Sequence, residues 1–224
     1  MKWFHLIISI VFVSFVRVGT AQVASTTNHF TIGRLQYSGG GDWYNNPSCI
    51  PNLLDFIADN ANIETADDEV RVSIMDEHFF SIPVLFMTGH GRVSFAPKEV
   101  DRLRLYLTNG GFLYADDDYG MDKHFRREMK KVFPDKQLVE IPFSHQIFHS
   151  HFDFPSGLPK IHKHDEKSPQ AFGYFHNGRL VVFYTIETNI SDGWADPDVH
   201  DDPPDVREKA LKMGFNIIKY ALTN

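Results

Sequence analysis

Residues 82–120 spell a strand, a helix and a second strand, and this unit restricts the fold more than any other stretch of the chain. Ile82-Pro-Val-Leu-Phe-Met-Thr88 is a short apolar run that stops at Gly89-His90-Gly91, the pattern of a buried strand entering a tight turn. Over residues 97–107, Val100, Leu103 and Leu107 recur at helical spacing, with Lys98, Glu99, Arg102 and Arg104 mostly off that face. Asn109-Gly110-Gly111 ends the helix, because glycine adopts the left-handed C-cap conformation without steric cost. Phe112-Leu-Tyr-Ala115 is the second strand, and it leads into Asp116-Asp117-Asp118-Tyr119-Gly120. Strands joined by a helical crossover are parallel and the crossover is right-handed. Both polar turns therefore leave one edge of the sheet, the carboxyl edge at which open α/β sheets bind ligands.

At 224 residues and 42% hydrophobic content, the chain can bury the core of one α/β domain and is not disordered. Residues 1–21 read as a secretory leader: Lys2 precedes the apolar run 4–16, and Gly19-Thr20-Ala21 sets small residues before a cut. The run is short for a membrane span, although an uncleaved anchor is the alternative. Cleavage after Ala21 would leave residues 22–224 as a single periplasmic or extracellular domain, not embedded in a membrane. The formal net charge of −7 gives no general attraction to nucleic acid. Cys49 is the single cysteine, so no internal disulfide is available and the fold stands on its core.

The rest of the chain reads as one domain. Residues 30–37 alternate as a first strand ending in Ser38-Gly-Gly-Gly-Asp-Trp-Tyr44, and residues 48–61 carry Ile50, Leu53, Leu54, Ile57 and Ala61 at helical spacing. Residues 69–74 form an outer strand, 119–132 a helix striped by Phe125, Met129 and Val132, and 138–141 a short strand. The histidine-rich stretch 143–168 is too long for a plain connection and is expected to cover a site. His176-Asn177-Gly178 is a hairpin turn between strands at 171–175 and 179–185. The last helix, 206–222, packs through Val206, Ala210, Met213, Ile217 and Ala221. The expected fold class is an α/β three-layer sandwich, its sheet mostly parallel and carrying a C-terminal antiparallel hairpin.

Four motifs, Tyr37-Ser-Gly-Gly-Gly-Asp-Trp-Tyr44, Met87-Thr-Gly-His-Gly91, Asn109-Gly-Gly-Phe-Leu-Tyr-Ala-Asp-Asp117 and Ser144-His-Gln-Ile-Phe-His149, resemble an uncharacterised bacterial family, number four-one-five-nine among the domains of unknown function. The resemblance covers the chain from about Asn28 to its end. It implies a fold similar to the class I glutamine amidotransferases, and an occurrence beside proteins of the aerotolerance type; it implies no activity. Those enzymes set a nucleophilic cysteine on a sharp strand-to-helix turn. Here the corresponding turns read Thr88-Gly89-His90-Gly91 and Ala115-Asp116-Asp117-Asp118, without the thiolate or alkoxide that acyl transfer requires.

If the strands at 30–37, 82–88, 112–115 and 138–141 are parallel neighbours, their carboxyl ends gather Asp42, Trp43, His90, Asp116, Asp117 and His145. His149 and Asp192 reach the crevice from loops, with Gly40, Gly89 and Gly91 shaping its walls. His90 and Asp116 are expected to face one another there. Histidine with carboxylate is a donor set for zinc or a related divalent ion, and the same groups can carry protons without one. The plainer readings are a turn histidine at 90, helix N-caps at 116 and 117, solvated histidines at 162 and 164, and a solvated acidic loop over 192–205. Two functions follow: binding of a small polar ligand or an envelope protein partner, and, as the alternative, metal-assisted hydrolysis by His90, Asp116, Asp117 and His145.

Overall fold

The strands are β1 (Gly33–Gln36), β2 (Val70–Ser73), β3 (Val84–His90), β4 (Phe112–Tyr119), β5 (Val139–Glu140), β6 (Gln170–His176) and β7 (Arg179–Ile186), in a computed structural model that describes residues 29–162, 164 and 166–224. The leader expected over residues 1–21 lies outside the described residues. Among those described, no helix is long and apolar enough to cross a membrane. The sheet runs β2-β1-β3-β4-β7-β6-β5. The first five of these strands are mutually parallel, while β6 is antiparallel to both β7 and β5.

Period-two alternation sorts the strand side chains into two cores. Val84, Phe86, Phe112, Tyr114 and Phe183 pack on α1 (Cys49–Asn60) and on the final helix (Pro204–Thr223). Leu85, Met87, Leu113, Ala115 and Val182 pack on α2 (Pro97–Thr108) and α3 (Asp122–Val132). The result is the expected three-layer sandwich. A short helix, α4 (Pro197–His200), precedes the final one, α5.

Two expectations are corrected. The strand at 138–141 is not a neighbour of β4: β5 is two exposed residues at the far edge, and β7 takes the place beside β4. The reason lies in composition, since β7 is apolar on both faces from Leu180 to Tyr184 and every one of those residues is buried. Such a strand belongs inside a sheet, paired on both sides. Secondly, β3 and β4 do not stop where their apolar runs stop. Thr88, Gly89 and His90 continue pairing with Asp116, Asp117 and Tyr119, and the register slips once, so that Asp118 has no partner opposite it. That slip is a β-bulge, which re-aims a side chain where pairing ends.

The order also fixes where the crevice opens. Chain connections pass from β1 outward to β2 and then back across to β3, so the winding reverses between β1 and β3. The loops after those two strands flank the switch point, where ligands sit in folds of this kind.

Candidate functional site

The loop after β1 is held from below by Arg34. Its side chain is buried, ion-paired to Glu69 at 2.6 Å, and its guanidinium donates to the carbonyls of Asn45 at 2.8 Å and Asn46 at 3.2 Å. A fork of five fixed donors can hold a loop backbone in this way where a lysine cannot. The same guanidinium meets Cys49 Sγ at 3.2 Å. Cys49 is wholly buried, and burial pushes its thiol up to about 11 despite the nearby cation, which keeps it a packing residue.

So anchored, the loop presents Asp42 to the end of β3. Asp42 accepts from the backbone N–H of His90, and its second oxygen lies 2.9 Å from His90 Nδ1. Gly89 makes this approach possible. It has φ +136°, and a Cβ there would collide with the Tyr37 hydroxyl. The same Nδ1 lies 3.4 Å from Asp118 Oδ2, from the bulge in β4. Burial works against protonation of His90, but the Asp118 and Asp42 charges outweigh it and raise its pKa. Burial and the charge of Asp192 push Asp118 up to about 6.

Asp118 is joined to a second cluster through Asn189. The Asn189 amide nitrogen lies 2.6 Å from Asp118 O, 2.7 Å from Asp118 Oδ1, 3.0 Å from His164 Nε2 and 3.2 Å from Asp192 Oδ2. An amide NH2 carries two hydrogens, so acceptors outnumber donors at this point. Asp192 is buried; its Oδ2 lies 2.8 Å from His162 Nδ1, and its Oδ1 accepts from Asn46 Nδ2 at 2.6 Å and lies 3.6 Å from His200 Nε2. The hydrogen bond to Asp192 raises the pKa of His162.

One ligand atom from each of His162, Asp192 and His200 falls within 4.8 Å of the others. Zinc bonds of about 2.0–2.2 Å set tetrahedral donors roughly 3.4 Å apart; here His162 Nδ1 is 2.8 Å from one Asp192 oxygen and His200 Nε2 is 3.6 Å from the other. Beside the cluster, Asp117, Asp118, Tyr119, His162, His164 and Glu187 contribute to the wall of a cleft of about 350 Å³. Tyr119 lies at its rim, its ring 4.7 Å from that of His164.

The other sequence-derived candidates fall elsewhere. Asp116 does not face His90. It is wholly buried, accepting from Thr185 Oγ1 at 2.6 Å and from Ser191 N and Oγ at 2.7 and 2.8 Å, and it ties β4 to β7 and to the turn beyond. Asp117 accepts from the N–H groups of Met121 and Asp122 at 2.8 and 3.0 Å, thereby capping α3. His145 leaves the crevice with β5 and lies against Phe175 and Tyr220; Tyr220 in turn packs on Phe112, at the opposite end of β4 from Asp118. His149 bonds Asp153 and the Phe143 carbonyl on the surface. Trp43 is half-buried with its carbonyl on Arg34, Gly40 is exposed at φ +94°, and Gly91 follows His90 at φ +77°.

Of the plainer readings, that of His164 stands, since it is exposed, as are Asp196, Asp198, Asp201 and Asp205 of the acidic loop; His162 is half-buried and Asp192 is buried. His162 is ion-paired to Asp192, and His164 meets Asn189. Residues 191–195 are buried under Trp194, whose ring seats on Phe86 and Tyr114 and brings Asp192 inward. Sequence reasoning missed Asp118, Asn189, His200 and Arg34. The proximity of His200 to five aspartates was the signal available, and Arg34 was the one charged residue within β1.

A three-layer α/β sandwich with a histidine–carboxylate crevice at its switch point is the class that this fold and site define. Residues 31–222 match the model of the domain of unknown function DUF4159, and the chain belongs to that family. Comparison with curated proteins returns no relative.

Proposed function

We propose that the protein is a binding module that holds a divalent ion, zinc in the first instance, between His162, Asp192 and His200. A small polar ligand or an envelope protein partner would engage the adjoining cleft. The observation that carries this reading is the surplus of acceptors. Three of them, Asp118 O, Asp118 Oδ1 and Asp192 Oδ2, share the two hydrogens of the Asn189 amide, beside two histidines converging on a buried carboxylate. A cation supplies the positive charge that such a cluster lacks, and mixed nitrogen and oxygen donors suit zinc and its neighbours. Zinc titrated into chelator-treated protein is expected to bind at one equivalent. His162→Ala and His200→Ala should each weaken it at least tenfold at an unchanged thermal midpoint. Absence of binding heat in the wild type would refute the reading.

Metal-assisted hydrolysis is the second reading, and His90 favours it. The imidazole is 47% exposed, with its Nδ1 held by Asp42 and Asp118, as a general base must be oriented to reach a substrate proton. Turnover of an ester or amide by zinc-loaded protein, lost in His90→Ala with zinc retained, would select this reading. Location outside the cytoplasm, as a periplasmic or extracellular domain, is also proposed, and its support is the leader pattern of residues 1–21. A native N-terminus beginning at Gln22 in mass spectra is expected; an intact Met1 in a membrane fraction would contradict it.

A further inference from the structure

The helical layer made by α2 and α3 carries a charge out of keeping with the rest of the chain. In a sequence of formal net charge −7, α2 has three cations against two acids and α3 has five against two, whereas α1 has two acids and no cation. The acids of this layer are already engaged. Asp101 pairs with Arg104, Asp122 with Arg126, and the buried Glu128 with Arg127 and Lys131, while Glu99 accepts from the Ala96 N–H. Lys98, Lys123 and Lys130 are exposed and have no acidic partner among the described residues. Lys98, Arg102 and Leu105 fall at i, i+4 and i+7 along the outer side of α2, and Lys123, Arg127 and Lys130 at the same spacing along α3. Arg104 donates to the Val132 carbonyl at 2.6 Å and so ties the two helices together. Apolar side chains stand among these cations. Leu105 is 54% exposed, and the Arg102 guanidinium lies 4.8 Å over the ring of exposed Phe80.

We propose that the α2–α3 layer docks on an anionic lipid bilayer, its lysines on the headgroup phosphates and Leu105 and Phe80 entering the boundary below them. Cations around exposed apolar side chains are the pattern by which a protein lies on a membrane surface without spanning it. The lysines distinguish this occupant from a protein partner, because lysine is depleted at protein interfaces, whereas its long apolar stem suits the headgroup region with the ammonium kept in water. A nucleic acid backbone would engage the cations but offers no apolar phase to Leu105 and Phe80. The crevice opens at the carboxyl edge of the sheet and not on this face, so docking leaves it accessible. The inference stands apart from the ion-binding reading, with which it shares no residue.

Co-sedimentation of the full chain with vesicles tests it, comparing equimolar phosphatidylglycerol and phosphatidylcholine with phosphatidylcholine alone. Partition onto the anionic vesicles should be at least tenfold stronger, and the difference should fade as salt screens the surface. Each lysine near such a surface contributes about fivefold, so Lys98→Ala, Lys123→Ala and Lys130→Ala combined should weaken anionic binding roughly a hundredfold. Leu105→Ala should weaken it several-fold at every salt concentration, since its contribution is apolar. All four side chains are exposed, and the thermal midpoint should stay at the wild-type value in both variants. Binding contributed by the apolar run 4–16 is common to wild type and variants and cancels in the comparison. Equal partition onto neutral and anionic vesicles overturns the proposal, as does a triple variant that binds anionic vesicles like wild type. Binding to heparin that the triple variant loses and Leu105→Ala keeps, with no vesicle binding, would assign the face to a soluble polyanion and overturn it as well.

Discussion

His90 Nδ1 lies 3.4 Å from Asp118 Oδ2 across the ends of two neighbouring parallel strands, and 2.9 Å from Asp42 Oδ2 on the loop that follows a third. Three chain segments, distant in sequence, thus meet at the point where the winding of the sheet reverses. The imidazole is held by two carboxylates while almost half of its surface stays open to solvent.

This pairing sets a pH dependence. The folded pKa of His90 is raised, against desolvation, by Asp118 and Asp42. Its contribution to stability is therefore fully present below the unfolded value of about 6.5 and is lost as pH rises through the folded value. Asp118→Asn should lower the titration midpoint of the His90 ring, read by proton–nitrogen NMR of chelator-treated protein. An unchanged midpoint would show that the Asp118 charge does not reach it.

Asp116 should behave as a structural acid. Burial pushes it up to about 7 against the donors of Thr185 and Ser191. The folded state then binds this proton more tightly than the unfolded chain, whose aspartates titrate near about 3.9. The resulting stability is present below that value and declines as pH rises toward 7. Asp116→Asn, which cannot titrate, should flatten the fall in urea midpoint across that window. Asp116→Ala leaves the Ser191 N–H without its acceptor and should cost about 1–3 kcal/mol. An Ala variant as stable as wild type would contradict this role.

At Asp117 the expected effect is smaller and local. Asp117→Ala removes the acceptor for two N–H groups in the first turn of α3, and a lost cap costs about 1 kcal/mol. Thermal melts should register that loss, while zinc affinity stays at the wild-type value. A loss of zinc binding with no loss of stability would instead place Asp117 in the site.

The unit at 82–120 was legible because apolar period and glycine punctuation both survive in one dimension. Parallel β3 and β4, the α2 crossover and the shared carboxyl edge all follow from it. The three aspartates were not separable in this way, because a β-bulge leaves no mark on composition. Alternation assigns Asp116 and Asp117 to opposite faces, but nothing in the sequence says that the register slips at Asp118 and turns it toward His90. The placement of β7 was hidden for another reason. Its uniform apolarity signals burial on both faces, while the Asn177-Gly178 hairpin suggests an edge. The histidines of the loops depended on Trp194, whose insertion into the α1–α5 core draws Asp192 inward, a contact 80 residues in sequence from Tyr114.

Arg34 tests the support of the site rather than its chemistry. Glu69 retains 2% side-chain exposure beside it, and removing one member of a buried ion pair strands the other at a cost of about 3–5 kcal/mol. Arg34→Met should lose stability of that order in urea denaturation. Arg34→Lys should recover only part of it, because an ammonium cannot serve Glu69 and two loop carbonyls in one plane. Full recovery by lysine would mean that charge alone, and not the fork, holds the loop.

The central claim is that a divalent ion sits between His162, Asp192 and His200. Anomalous diffraction at the zinc absorption edge, from crystals grown with one equivalent of zinc, tests it most directly. The account expects a single strong peak about 2.0–2.2 Å from a ring nitrogen of each histidine and from an Asp192 oxygen. A dominant peak elsewhere, or none at a zinc concentration that saturates binding in solution, would contradict it.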